Sequence, residues 1–591
     1  MEPPPTQGPR DSAENNSVKD FIRAQDVLAA LVVGGVVSTG LVHLCLTARP
    51  FGGPSVDREA SGSTVELVNG VRVRRTLGIP YALPLRAHNR FGAPQLLDYQ
   101  QYLRDHVATA KWLGGGFTRL GCPQVEWTPF PRRPIAQTNS EDDCLYLNVW
   151  QPLLEEDGGT ECGVCGRPPL LPAVVVLHGG RFQYGGGGGP YTFYDGKYLA
   201  AAWRAVVVVP AYRIGAFGFL NAALQHDEAP GNVTLVGHEA GAASVSYHLM
   251  SNRSAAYFQR AVMMAGSPYS PYPENNGKAA DRNVRALARE LRCPDSSARR
   301  AAIECLKSRS VRATLEAADG AGIEFGPSYL SPQTAVTPEH KMLENAVVPE
   351  KIPNMPARFR PLDFIAGYTS NEGVSYVLEM LRRSQLHFND ETSGREVLGL
   401  LEAWLRRHGV AEPHQVLDFY GLHAPQFANT KGVNVLESLD ELLGDMHVYC
   451  PVNLMVEEAV ALGSRVFAYE FAHLPYYRWW ARWKGVPQLL DFIYASGLVG
   501  AIQDEYGLDH SELHFSQYMA DMFAGFVWNG EPPPESNWSR WEIFHRGTLV
   551  FASSENSSYA KAAIMPHEAN CAFWKALFHR QATSMATTTT P

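Results

Sequence analysis

Three short runs along the chain are almost wholly apolar: Val174–Leu177, Ala205–Val209 and Val233–Val236. A strand with one wet face alternates apolar and polar residues; a continuous run is expected of a strand buried on both faces of a parallel sheet. Helical spacing follows several of these runs, as in Ala240–Met250 and Val284–Leu291. Strand and helix in alternation predict an α/β architecture with a doubly wound, mostly parallel sheet. The C-terminal half reads as mainly helical, with patterns over Val397–His408 and Ser516–Val527. Val65 to Val73 is different: two alternating stretches surround Asn69-Gly70, the strongest short-range signal for a hairpin.

The N-terminus adds an element of another kind. Val27–Thr47 is an uncharged stretch of 21 residues, close to the roughly 20 that a membrane-spanning helix needs. A cleaved signal peptide is the alternative, but its apolar region is shorter, about 7–15 residues, and does not follow a long polar segment. The expected organisation is a disordered cytoplasmic tail (1–26), a transmembrane helix (27–47), an extracellular domain (50–580) and a disordered tail (581–591). Arg10, Lys19 and Arg23 before the span, against Arg49 and Arg58 after it, mildly favour an inside N-terminus. Glycosylation triplets at Asn252, Asn537 and Asn556 suit an outside C-terminal domain at the plasma membrane. Gly34-x-x-x-Ser38 would let two spans approach closely, which leaves a homodimer open.

Composition narrows the function classes. Hydrophobic residues make up 45% and charged residues 19%, enough apolar material for a large core. A net charge of −9 argues against a nucleic-acid partner. Cys162-Gly163-Val164-Cys165 is too small a set for zinc and reads as a local disulfide. The five glycines Gly185–Gly189 lack the Lys-Ser/Thr of a phosphate cradle. No metal or cofactor is expected.

The chemistry centres on Gly237-His238-Glu239-Ala240-Gly241, directly after the run Val233–Val236. An apolar strand, a G-x-?-x-G turn and a small-residue helix start form the pattern of a nucleophile elbow, in which the glycines avoid collisions within a tight turn. Its centre should be Ser; here it is Glu239.

Further motifs resemble one family over residues 50–580, the cholinesterase/carboxylesterase (type B) branch of the α/β-hydrolases. They are Gly78–Ala82, Asp142–Pro152 and Tyr212–Leu220. The resemblance implies an α/β-hydrolase fold and the disulfides Cys122–Cys144, Cys293–Cys305 and Cys450–Cys571, hence an oxidising compartment. It also implies an ester-cleaving triad and an oxyanion loop, and there the chain departs from the pattern. The acid position holds Glu372, in Gly367-Tyr368-Thr369-Ser370-Asn371-Glu372-Gly373. The base position, His in the family, holds Gln488, and glutamine is no base near neutral pH. The oxyanion loop reads His178-Gly179-Gly180-Arg181-Phe182, with Arg181 in place of a glycine. A carboxylate nucleophile at Glu239 would still need a base; His238 and His178 are near in sequence but do not match the base position. Glu239 then reads as a structural carboxylate, paired with Arg181 across the old pocket.

Pro230-Gly231-Asn232 runs straight into Val233, where the family has a crossover helix; only Phe219–Glu228 could replace it, so a skipped exon or a faulty gene model is favoured over a rewired fold. An anchored cholinesterase-like domain without its triad resembles the neurotactin-like adhesion molecules. That resemblance implies a non-catalytic cell-adhesion protein with an extracellular protein partner. A small-ligand binder and a residual ester hydrolase are the alternatives. Tyr476–Lys484, rich in aromatics and Arg, is the candidate contact stretch.

Overall fold

The computed structural model describes residues 63–83, 90–92, 121–125, 144–153, 171–187, 193–220, 233–250, 258–272, 277–294, 299–326, 361–384, 386–476, 478, 480–552 and 559–587. The expected tail and span (1–47), Asn252, Asn556, Cys162, Cys165 and the junction 221–232 lie outside the described residues. Among the described residues, no helix is long and apolar enough to cross a membrane.

Eleven strands form one sheet in the order β1-β2-β3-β5-β4-β6-β7-β8-β9-β10-β11. They are β1 (Ser63–Val68), β2 (Val71–Pro80), β3 (Tyr146–Leu153), β4 (Ala173–Leu177), β5 (Val206–Pro210), β6 (Val233–His238), β7 (Arg260–Met264), β8 (Asp363–Thr369), β9 (Val466–Phe471), β10 (Gly547–Phe551) and β11 (Ala560–Ile564). From β5 across to β10 every neighbouring pair is parallel, and the pairs at both edges are antiparallel. The continuous apolar runs are the centre of this sheet. Successive side chains point to opposite faces, so Ala173 and Val175 enter one hydrophobic core while Val174 and Val176 enter the other. Both faces are dry, and an alternating sequence would have buried polar groups there.

The hairpin forms as the sequence pattern predicts. Val68 pairs with Val71, and Asn69 and Gly70 take φ of 47° and 79°, both left-handed as the tight turn demands. Helix His510–Asn529 covers the expected pattern Ser516–Val527 in full, and helices Ala240–Leu249, Gly277–Glu290 and Gly394–Arg407 cover the other three except for their last residues, Met250, Leu291 and His408. One expectation is corrected: the last helix, Glu568–Thr587, continues through residues 581–587, where the sequence predicts a disordered tail. The three implied cysteine pairs are bonded, Cys122–Cys144, Cys293–Cys305 and Cys450–Cys571.

The strand order positions the site. After β4 the chain moves to β5 on one side, and then to β6 on the other side of β4. Loops leaving the carboxyl ends of β4 and β6 therefore flank a topological switch point, where α/β sheets place their sites.

Candidate functional site

Pairing of Leu177 with Gly237 sets the loop after β4 against the turn after β6. That turn is an elbow in fact as well as in sequence. A Cβ on Gly237 would lie 2.3 Å from the Gly241 carbonyl oxygen, and one on Gly241 would lie 2.0 Å from the Leu177 oxygen. Glu239 sits at the apex with φ 53° and ψ −112°, a conformation that strains any residue with a side chain. The surroundings hold it there: its N–H donates to the Met264 carbonyl at 2.7 Å, and its own carbonyl accepts from Ala243 at 3.0 Å.

The Glu239 side chain turns back into the loop after β4. Its Oε2 accepts from the backbone N–H of Gly180 at 2.8 Å and of Arg181 at 2.6 Å. These are the amides that the loop would offer to a developing oxyanion, and a carboxylate of the chain itself saturates them. Its other oxygen, Oε1, is buried with no hydrogen-bond partner among the described residues. Burial, and then the nearby Glu239 charge, hold the Tyr272 phenol well above its ordinary value.

The expected pairing of Glu239 with Arg181 therefore needs correction: it runs through the Arg181 backbone, not its guanidinium. Arg181 takes φ 56°, a glycine-like conformation, and this swings its side chain away from Glu239. The guanidinium lies 5.0 Å over Tyr376 and 5.3 Å over Trp404 and reaches Glu324 at 3.2 Å. Glu324 also accepts Arg383 at 3.2 Å and Arg407 at 3.0 Å. Burial would lower the Arg181 value, but Glu324 and then Glu379 raise it above that of a free guanidinium. Glu379, itself buried, is bound by Arg382 and Arg383 and is drawn down to about 2. Four arginines thus gather on two buried carboxylates beside the loop after β4.

Glu372 follows β8, and Gln488 comes next to it because Asn371 bridges to Pro487 and its side chain accepts from the Val486 amide at 2.8 Å. Glu372 Oε1 accepts from the backbone and hydroxyl of Thr369 at 2.7 and 2.9 Å. Burial, and then Asp491, push the Glu372 carboxyl well above its usual range, against the opposing Thr369 bonds and Gln488 amide. The structure thus brings Glu239, Arg181, Glu372 and Gln488 to one end of the sheet, with an amide where proton transfer would need an imidazole.

Two buried histidines stand near this site. His178 Nδ1 lies 2.9 Å from the Gly179 carbonyl and its ring stacks on Tyr212; burial lowers it to about 4. His238 Nδ1 lies 3.0 Å from the Tyr194 hydroxyl, and burial lowers it to about 3. Glu324, Tyr376, Trp404 and Asp491 were not legible in the sequence. Tyr376 and Asp491 stand three residues beyond Gly373 and Gln488, Trp404 reads only as one apolar position of the Val397–His408 helix, and Glu324 is a lone carboxylate in the loop after helix Val311–Gly320, so none carries a signal of its own.

Comparison with known proteins agrees with this geometry. A family model described as "Carboxylesterase family" matches residues 59–235 and 228–574, two stretches meeting at the junction before β6. The chain is 25% identical to a cholinesterase of Mus musculus, over 91% of this chain and 90% of that protein. It is also 25% identical to an acetylcholinesterase of Bungarus fasciatus, over 87% of this chain and 84% of that protein. With its elbow, oxyanion loop and disulfides in place on an α/β-hydrolase sheet, the chain belongs to the carboxylesterase family.

Proposed function

We propose that this chain is a non-catalytic, membrane-anchored, cholinesterase-like cell-adhesion protein that binds an extracellular protein partner, as the neurotactin-like resemblance implies. The observation that carries the loss of catalysis is the Glu239 carboxylate on the Gly180 and Arg181 amides. An ester carbonyl would have to displace a charged acceptor, and charge-assisted bonds of this kind are about twice as strong as neutral ones. Gln488 supplies no base, so an intermediate at Glu239 would not be resolved.

Contact with the partner is assigned to the loop between β9 and Gln488. Tyr476 is 83% exposed there, and Arg482 is exposed as well. Trp480 is not part of the contact, because it is buried and donates to the Gly485 carbonyl at 2.9 Å. Tyr477 and Trp479 lie outside the described residues. Two assays test the reading. Cells expressing the chain should aggregate with cells displaying a partner, and the purified protein should show no turnover of acyl esters. Hydrolysis by the unmodified chain would overturn the loss of catalysis; failure to aggregate against any surface in a broad panel would overturn adhesion.

A further inference from the structure

Helix Gly277–Glu290 packs Val284, Leu287 and Ala288 into a satellite core shared with helices Arg299–Lys307 and Val311–Gly320. Its outer face carries a row of arginines beside Asp281 and Glu290. Arg282, Arg285 and Arg289 recur at i, i+3 and i+7 on the helix, and Arg292 follows in the turn just past its end, with φ 53°; all four are exposed. At about 1.5 Å per residue the three helical members span about 10 Å. Cationic side chains elsewhere on the surface commonly meet carboxylates, as Arg312 meets Glu316, Arg465 meets Asp363 and Lys575 meets Glu457. Among the described residues, no carboxylate pairs with any of the four. Arg309, half-buried, braces the turn at the end of the row, its Nη2 donating to the Arg292 carbonyl at 3.4 Å. The Cys293–Cys305 disulfide ties the end of the row to the next helix.

We propose that this row is a binding site for a sulfated polysaccharide. Three guanidinium groups along one helix and a fourth in the turn tied by the disulfide match a linear chain with repeating anionic groups; guanidinium also binds tetrahedral oxyanions through two parallel bonds. No large apolar side chain is exposed on this helix. A protein interface centres on buried aromatic or aliphatic anchors, with charges at its rim. The row has charge without such a centre, which favours the polysaccharide over an acidic protein. The proposal rests on the extracellular placement of this domain.

The test uses the full-length protein purified in detergent and heparin as the probe. It should be retained on heparin-agarose at about 0.15 M salt. Arg285→Gln with Arg289→Gln should weaken binding about tenfold or more and reduce the log–log salt slope by about one unit per arginine. Hyaluronan and poly-L-glutamate, which carry carboxylates but no sulfate, should not compete. Absence of retention, equal retention of the double variant, or equal competition by poly-L-glutamate would each overturn the proposal. Retention is read on purified protein and aggregation on cells: loss of aggregation with heparin binding intact would count against adhesion alone.

Discussion

At position 239 one substitution changes what the elbow can do. A serine hydroxyl is short; a glutamate carboxylate is long enough to turn back onto the two loop amides, and it does so at 2.8 and 2.6 Å. Glu239→Ser with Gln488 retained should give no ester turnover above background, because members of a triad act as a unit. Turnover by that variant would mean His178 or His238 acts as a base. Glu239→Ala should lower the stability of the fold by about 1 kcal/mol, since it strands two half-buried amide donors; chemical denaturation of the two proteins measures this. The replacement residues themselves were legible in the sequence, because each sits inside a recognisable motif. Which part of Arg181 Glu239 would meet was not, since a positive φ at Arg181 decides where that side chain goes.

Strand ends carry a pH dependence. His178 follows β4 and His238 ends β6; burial depresses them to about 4 and about 3. Below pH 6.5 the unfolded chain takes up protons on these rings that the folded chain refuses, so their contribution to stability falls as pH falls. Asp440 and Asp491 act in the opposite sense. Burial raises each to about 6, so the folded chain holds more protons between their ordinary value and about 6, and stability falls as pH rises through that window. His238→Gln should therefore lose less stability than the parent between pH 6.5 and pH 5, by about 2 kcal/mol; equal losses would show that His238 titrates normally in the fold. The short connection before β6 has its own consequence. β6 is buried along its whole length, so none of its apolar surface, worth about 25 cal/mol per Å², is left for a missing crossover helix to cover. A form with a helix between Asn232 and Val233 should therefore reach the cell surface no better than the form written here, by surface labelling; a clear gain would mean that the short crossover does cost the fold.

For the whole molecule, placement outside the membrane has a direct readout. Asn537 is exposed in a turn with φ 54°. Glycosidase should lower the apparent mass of surface protein, and Asn537→Gln should remove part of that shift; an unshifted chain would count against an extracellular domain. Reading the sequence alone determined the sheet's buried strands, the hairpin and the elbow, because each depends on local residue type or on neighbours a few positions apart; the acid, base and oxyanion positions came only through resemblance. The bonded cysteine pairs came through resemblance and proved to lie within bonding distance. Tertiary structure alone decided that Glu239 occupies the oxyanion amides and that Arg181 lies between Tyr376, Trp404 and Glu324. It also left Gln488 beside Glu372. Those contacts join β4, β6, β8 and three separate helices and loops. No periodicity in the chain encodes such distances; the packing of the sheet and the strained backbone at its switch point do.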